Sequence, residues 1–300
     1  MFKSFIWLLL LIDMSFGKGK EVSKQEVVCR LENSEITESS GICASRKNPG
    51  VFWTHNDSGG KPVIYAFDKE GHDLGTFSIA ARAKDWEDIA CATVAGQPTL
   101  VVGDVGDNIH ERESVRLLEF VEPTVPPYAQ NATSRKDKKE TRHAGEIKPH
   151  VINISWPEKS PNCEAVGLCP DGTILLITKV YGHAPCAAYA INPKDQAQEK
   201  CVPSKLLDLN IPTVTAMDVS PDGLKCLVLS GGKAYEYTRT ARQTWKEALA
   251  TQPRIIKVPI GQQSEGICYD LDAKSCWLTS ETKRKTGELT PVFRHVFAEK

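Results

Sequence analysis

Apolar residues occur in short runs, separated by turn-forming residues, from about residue 26 to the end of the chain. Runs such as VFWTHND, VIYAFD and GTFSI have the length and the β-branched or aromatic content typical of strands. Turn signals such as Pro170-Asp171-Gly172 separate them. No long segment has the 3.6-residue periodicity of an amphipathic helix, so the pattern predicts an all-β protein.

A short motif, consisting of Gly or Asp, an aliphatic residue and a small residue, recurs five times, starting at Gly41, Asp88, Gly167, Asp218 and Gly266. The intervals between these positions are 47, 79, 51 and 48 residues. Three of them lie near the ~40–50-residue period of four-stranded propeller blades. We therefore predict a β-propeller of five blades, with six as the alternative if the long interval contains another blade.

The fifth repeat contains only three strand-like runs, and the run EVVCRLE near the start of the chain can supply the fourth. Such a strand closes the ring and leaves no open sheet edge. The long interval contains an insertion at about residues 122–149 that is rich in proline and charge, which predicts a loop or disordered excursion rather than a blade. The sequence thus predicts a single propeller domain over residues 26–300.

The first 17 residues combine Lys3, an apolar run from Ile6 to Ile12 and small residues at the end, a pattern typical of a secretory signal peptide. An uncleaved membrane anchor is the alternative. No later segment reaches the ~18 apolar residues of a membrane-spanning helix, so we expect a secreted or periplasmic protein with no membrane span after signal removal. In an exported chain cysteines can pair, and Cys186 and Cys201 bracket a predicted strand–turn–strand, which suggests a disulfide between them.

The composition excludes some functions. A formal net charge of −1 with 25% charged residues gives no basic face for nucleic acid. Nucleophile-elbow, zincin, Walker and dinucleotide-binding motifs are absent from the sequence, which disfavours serine hydrolases and nucleotide enzymes. We expect a monomer whose partner is a small molecule or a protein.

In an up-and-down blade the start of the first strand and the end of the second lie on one face, and the innermost strands surround the channel. Residues at these positions should therefore meet at one mouth of the ring, which we call the predicted funnel. Residues before the first strands are Glu38, Asp85, Glu87, Glu164, Thr215 and Glu265. Residues after the second strands are His55, Asn56, Asp57, Asp104, Asp107, Asn108, Lys179, Ser230 and Glu281.

Clustered carboxylates have raised pKa values or attract a counter-ion, and Ca²⁺ prefers ~6–8 oxygen ligands. We therefore predict a calcium site. Its expected metal ligands are Glu38, Asp85, Glu87, Glu164 and Glu265, and its expected ligand-binding residues are Asn56, Asp57, Asp104, Asp107, Asn108 and Lys179. The alternative for any one of these residues is turn capping or an ion pair, for instance of Asp57 or Asp107 with Lys179 or Arg112.

Several longer motifs carry a resemblance to known proteins. The runs ESSGICASRKNPGVFWTHNDSGG, DWEDIA, GDVGDN, Glu122-Pro123 and CEAVGLCPDG resemble an uncharacterised family of exported bacterial propeller proteins. They are more distantly similar to phytase-like and esterase-like propellers. The resemblance is strong over roughly residues 35–180. In the distant relatives, acidic residues around the channel hold calcium, which the resemblance implies for this chain too.

Three functions fit this sequence. The first is a binding module whose acidic funnel holds a cation and recognises a small ligand or a protein. The second is a calcium-assisted hydrolase of phosphoesters or esters, with Glu87 or His55 as the base and Lys179 binding the anionic substrate. The third is a purely structural scaffold. A phosphate-hydrolysing funnel needs several cationic side chains, and their paucity favours binding.

Overall fold

The computed structural model describes residues 27–128, 143–156, 159–182, 184–259, 261, 263–282 and 287–298. These residues form five sheets arranged as the blades of a β-propeller, as predicted. The predicted signal peptide over residues 1–17 lies outside the described residues. No helix within the described ranges is long and apolar enough to cross a membrane.

In blades one to four the strands follow one another in chain order, outward from the ring centre. Blade one contains β2 (Ser39–Ala44), β3 (Val51–Asn56), β4 (Val63–Asp68) and β5 (Asp73–Ile79), and blade two contains β6 (Asp88–Val94), β7 (Gln97–Asp104), β8 (Val115–Val121) and β10 (His150–Ile154). Blade three contains β11 (Cys163–Leu168), β12 (Ile174–Thr178), β13 (Cys186–Ile191) and β14 (Ser204–Leu209). Blade four contains β15 (Val214–Val219), β16 (Lys225–Ser230), β17 (Lys233–Thr238) and β18 (Arg254–Lys257).

Blade five is assembled from both ends of the described chain. It contains β19 (Ser264–Tyr269), β20 (Ser275–Ser280) and β21 (Pro291–Val296), and its outer strand is β1 (Val27–Arg30), antiparallel to β21. This closure by an early strand is the one predicted from the missing fourth run. The inner strands β2, β6, β11, β15 and β19 each contact their neighbours, which completes the ring.

The predicted insertion does more than form a loop. Its last described part, β9 (His143–Ile147), is a fifth strand of blade one and runs parallel to β5. Val125 and Tyr128 pack against the core between blades one and two. The purely loop-like prediction for residues 122–149 was therefore wrong in part, because the returning chain pairs with the free edge of blade one. The charged run from 129 to 142 lies outside the described residues.

The Gly/Asp motif marks the places where inner strands approach each other most closely. Gly41 has φ +94°, and a Cβ there would lie 2.8 Å from the Ile89 nitrogen. Asp88 instead links blades with its side chain: its Oδ2 accepts hydrogen bonds from the Val166 nitrogen at 2.9 Å and the Met217 nitrogen at 3.1 Å. The motif that repeats in the sequence thus lies where neighbouring inner strands pack against each other at the centre of the ring.

Glu122 binds several groups at the end of blade one that lies opposite the predicted funnel. Its fully buried carboxylate accepts hydrogen bonds from the Trp53 indole and from the Arg46 and Lys47 nitrogens, each at 2.9 Å, and from the Ser45 hydroxyl. These donors hold the β2–β3 turn against the chain that leaves blade two. Glu122 is therefore a structural residue at the end of the ring far from the predicted funnel.

The single α-helix among the described residues, α1 (Trp245–Leu249), was not expected from the sequence. Thr244 and Glu247 form a reciprocal capping box at its start. The buried Trp245 indole donates to the Cys169 sulfur at 3.0 Å, which ties blade four to blade three. The helix thus covers a seam between blades without changing the all-β architecture.

All ten cysteines are free, and nine of them are buried. The predicted disulfide between Cys186 and Cys201 is not formed. Cys186 packs in the core between blades three and four, whereas Cys201 packs in the core between blades two and three. The two thiols therefore serve as small apolar side chains in separate cores.

Candidate functional site

Strand pairing places the ends of the first and second strands side by side. In blade one Ser39 is paired with Asn56, and the Asp57 nitrogen donates to the Glu38 carbonyl at 2.9 Å. In blade five Ser264 is paired with Ser280, which places Glu265 beside Glu281. The predicted meeting of these positions at one mouth is therefore a direct result of the antiparallel register.

Six acidic side chains gather at this end of the ring, and we call them the acidic cluster: Asp57, Asp85, Glu87, Glu164, Glu265 and Glu281. Within it, carboxylate oxygens of Asp57, Asp85 and Glu87 lie within 4.8 Å of one another. Oxygens of Asp57, Glu265 and Glu281 form a second group within the same distance. Asp57 belongs to both groups, so it joins the acids of blades two and five.

Glu164 and Lys179 add the contribution of blade three. Lys179 Nζ lies 3.1 Å from Glu164 Oε2, and the Asn162 amide donates to Glu164 Oε1 at 2.8 Å. The Glu87 carboxyl group is hydrogen-bonded to Glu164. Burial alone would lower the pKa of Lys179, but Glu164 and Glu265 raise it above its usual value, so the ammonium group stays charged.

The acids of the cluster are harder to ionise than free carboxylic acids. Burial raises the pKa of Glu87 well above its usual value, and the charges of Glu164 and Asp57 raise it further. Burial and the charge of Asp57 raise the pKa of Asp85 to about 6, against the opposing effect of Arg112. Carboxylates this close together need either protons or a bound cation to lower their repulsion.

The acids of the second group are also harder to ionise than free carboxylic acids. Burial and the neighbouring Glu265 raise the pKa of Glu281 to about 8. Glu281 and Glu265 are hydrogen-bonded to each other through their carboxyl groups. The charge of Glu265 thus opposes the ionisation of Glu281.

A glycine allows the acids of blade two to come together. A Cβ on Gly106 would lie 2.0 Å from Glu87 Oε1 and 2.5 Å from Asp85 Oδ2. The backbone of Gly106 also donates to the Asp85 carbonyl at 3.2 Å. The run GDVGDN thus includes the glycine that lets both carboxylates lie against the main chain.

Two predicted ligand-binding acids of blade two have structural roles instead. Asp104 is fully buried between two arginines, with Arg112 and Arg116 nitrogens 2.9 Å from its oxygens. Asp107 accepts hydrogen bonds from the Glu111 and Arg112 nitrogens, the turn-capping alternative. Because their oxygens are already engaged, these residues support the site rather than line it.

Asn56 and Asn108 also differ from their predicted ligand-binding role. The Asn56 oxygen accepts hydrogen bonds from the Thr37 and Glu38 nitrogens at 3.0 and 3.1 Å, which fixes the segment before β2. Asn108 is exposed and accepts a hydrogen bond from the Asn162 amide at 3.0 Å. Both amides therefore shape the loops at the mouth.

His55 is a packing residue. Its side chain is fully buried, lies edge-on to Trp86 with ring centroids 5.7 Å apart, and its Nδ1 is bonded to the Asn56 carbonyl at 2.9 Å. Burial lowers the pKa of His55 to about 4. A ring closed off in this way does not fit the predicted role of a general base that exchanges protons with substrate.

The remaining predicted positions lie at the rim. Glu38 is partly exposed and its charge acts on Asp57 and Glu281. Thr215 donates to the Ser264 carbonyl at 3.2 Å, and Ser230 donates to the Pro212 carbonyl. Blade four has no acid before its first strand or after its second strand. The acidic cluster therefore consists of residues from blades one, two, three and five.

Asn162 is a residue of the site that sequence reasoning missed. It is buried, accepts a hydrogen bond from the Asp107 nitrogen at 2.7 Å and donates to Asn108 and Glu164. It therefore joins the loops of blades two and three beneath the cluster. Its position two residues before Glu164, directly before β11, is the feature of the sequence that could have identified it as a residue of the site.

No protein-family model matches the chain, and no curated protein matches it. Among solved structures, the chain is similar to Kuenenia stuttgartiensis hydrazine synthase, with 15% identity over 87% of this chain and 72% of that chain and a TM-score of 0.43. It is also similar to a structure of a nidogen/laminin complex, with 10% identity over 81% and 72% and a TM-score of 0.47. Similarity at this level carries no argument about activity, so the resemblance to exported bacterial propellers stays a prediction.

Proposed function

We propose that the protein is an exported binding module that holds a divalent cation, with Ca²⁺ as the expected ion, in its acidic cluster. The observation that carries the proposal is the position of Asp57, which belongs to both groups of closely spaced carboxylates. A propeller is a rigid scaffold, and its fold alone does not define an activity. The proposal therefore rests on the side chains at the mouth.

The donor set suits calcium. Ca²⁺ binds oxygen ligands at about 2.3–2.6 Å, so two ligands on opposite sides of one ion lie about 5 Å apart. The oxygens of Asp57, Asp85 and Glu87 all lie within 4.8 Å of one another, which fits that span. When bound, the cation would supply the positive charge that protons supply in the free protein. Asp57, Asp85 and Glu87 would hold it, with Glu265 and Glu281 on the other side of Asp57.

The surroundings of the cluster suit recognition of a further partner, a small molecule or a protein. Tyr181 and Ile109, in the loops that follow β12 and β7, are 68% and 70% exposed. Exposed apolar side chains beside a charged centre supply contact area to a ligand held by that centre. We propose that the partner contacts this mouth of the ring.

The proposed export fits a weak calcium site. Extracellular modules bind calcium with dissociation constants of about 10⁻⁴–10⁻³ M, because the ion is abundant there. The apolar run from Ile6 to Ile12 supports export through a signal peptide.

Calorimetric titration of CaCl₂ into the chain that begins at residue 18 tests the proposal. We expect a dissociation constant of about 10⁻⁴–10⁻³ M. Asp57→Asn should abolish the binding heat, because it removes the carboxylate common to both groups. Asp222→Asn is the matched control, since Asp222 is an exposed acid of a distant turn. No binding up to about 10 mM CaCl₂, or equal affinity of the Asp57 variant and the wild type, would refute the cation site.

Hydrolysis is not part of the proposal. His55 is enclosed, and Lys179, the cation expected to bind an anionic substrate, is paired with Glu164. A phosphatase and esterase screen, with and without a chelator, checks this choice. Chelator-sensitive turnover that is lost in Glu87→Gln would establish the hydrolase instead.

A further inference from the structure

One charged side chain in the acidic cluster has the opposite sign. The Lys179 ammonium group lies 3.1 Å from Glu164, and its side chain is only 11% exposed. The charge of Glu265 in blade five raises the pKa of Lys179, and the charge of Lys179 in turn lowers the pKa of Asp57 in blade one. Lys179 therefore interacts with acids of blades one, three and five.

The carboxylates thus already bind a cation, which is an alkylammonium group of the chain itself. A metal ion and an ammonium group compete for the same carboxylate oxygens, since each gains its binding energy from their negative charge. A tethered competitor is present at a high effective concentration, so it lowers the apparent affinity for a free ion.

In this same position the ammonium group also lies beside Tyr181. Lys179 Nζ is 5.7 Å from the centre of the Tyr181 ring, and Tyr181 is 68% exposed. The face of a tyrosine ring attracts an ammonium group within about 6 Å. A lysine has enough rotatable bonds to move from Glu164 toward this ring without a change in the main chain.

We propose that Lys179 is an internal counter-ion of the acidic cluster, which an incoming divalent cation displaces from Glu164 toward Tyr181. Lys179 thereby sets the affinity of the site. This inference rests on the proposed cation site, and it assigns a regulatory contact to a residue that the sequence suggested as an anion binder.

Calcium titration of Lys179→Met tests the inference. Methionine keeps most of the side-chain volume but removes the competing charge. The variant should therefore bind calcium at least about 10-fold more tightly than the wild type does. Lys257→Met is the matched control, because Lys257 is exposed on the outer strand of blade four. It should leave the affinity within about twofold. Weaker or unchanged binding by Lys179→Met, with normal unfolding, overturns the inference.

A double-mutant cycle tests whether the displaced ammonium group of Lys179 interacts with Tyr181. Tyr181→Leu should weaken calcium binding about twofold to threefold in the wild-type background, because the displaced ammonium group loses its partner. In the Lys179→Met background the same substitution should have no effect. Equal effects in both backgrounds would show that Tyr181 acts on the ligand directly and would overturn this part of the inference.

A measurement without calcium separates this inference from the proposed function. At about pH 8, where more of the acids are ionised than at lower pH, Lys179→Ala should lower the unfolding temperature, and ethylammonium chloride should restore it saturably. The control variant Lys257→Ala should unfold at the wild-type temperature, and ethylammonium chloride should not change that temperature. If no variant binds calcium but ethylammonium rescues Lys179→Ala, the calcium proposal fails and the internal counter-ion is retained. If the alanine variant is neither destabilised nor rescued, the counter-ion role is excluded.

Discussion

Replacement of Asp88 by alanine should loosen the ring directly beneath the acidic cluster. The Asp88 side chain is fully buried and accepts hydrogen bonds from the Val166 and Met217 nitrogens of blades three and four. Alanine leaves both donors without an acceptor in a place that water does not reach. The residues next to these contacts include Glu87 and Glu164, so the same change should disturb the cluster.

The size of the effect follows mainly from the two donors of other blades, to which the Ile89 nitrogen, hydrogen-bonded to Asp88 Oδ1 at 2.9 Å, adds a third. A buried backbone N–H group that loses its partner costs about 1–3 kcal/mol, which gives about 2–6 kcal/mol for the pair. Part of this loss is offset, because burial raises the pKa of Asp88 well above its usual value and the carboxylate is itself costly to bury. We therefore expect a loss of about 2–4 kcal/mol from a total stability on the order of 5–15 kcal/mol.

Urea unfolding followed by tryptophan fluorescence measures this loss. With a slope of about 3 kcal/mol/M, the midpoint should fall by about 1 M. Asp222→Ala is the control: Asp222 accepts a hydrogen bond from the Leu224 nitrogen at 3.0 Å in an exposed turn, where water can replace it, so the loss should stay below about 1 kcal/mol. A change of less than about 0.5 kcal/mol for Asp88→Ala, or equal losses for both variants, would refute the reasoning.

Three further predictions concern the cluster and the opposite end of the ring. In a chelating buffer the unfolding temperature should fall between about pH 5 and pH 8, because the folded-state pKa values of about 6 for Asp85 and about 8 for Glu281 exceed the unfolded values and the native state holds more protons. Saturating calcium should reduce this fall in the same thermal scans, and an unfolding temperature that rises with pH would contradict it. Gly106→Ala should weaken calcium binding at least 10-fold by calorimetry, since a Cβ would lie 2.0 Å from Glu87 Oε1, and an unchanged affinity would contradict this packing argument. Glu122→Gln should lower stability to urea by about 2–3 kcal/mol and leave calcium affinity unchanged, because its carboxylate serves the far end of the ring; a loss of affinity equal to that of Asp57→Asn would show that the two ends are coupled.

The blade count and the ring closure could be predicted because they depend on regular spacing. The interval between the motifs at Gly41, Asp88, Gly167, Asp218 and Gly266 reflects one inner strand per blade, and the incomplete fifth repeat required a strand from elsewhere. The fifth strand of blade one was not predictable in the same way. Its segment HAGEI has no apolar alternation, and its partner β5 lies far away in the sequence.

The candidate site could be predicted as a location but not as a set of roles. The strand ends predicted that Asp85, Glu87, Glu164 and Glu265 lie at one end of the ring, because antiparallel register fixes which ends are neighbours. Register does not show which acids already form hydrogen bonds or ion pairs with other residues of the protein. Asp104 was misassigned because its two arginine partners bind it through side chains, and neither the direction nor the burial of those side chains can be read from spacing.

The pairing of β1 with β21 has a consequence for how the protein matures. Arg30 donates to the Leu289 carbonyl across 259 positions of the chain, so β1 has to wait for a partner strand that is synthesised much later. The ring therefore closes only after the inner strands of all five blades have been synthesised, and a nascent chain that still lacks β21 has an open sheet edge beside blade five. A synthetic peptide with the β1 sequence would compete for that edge during refolding and would trap the unsealed form.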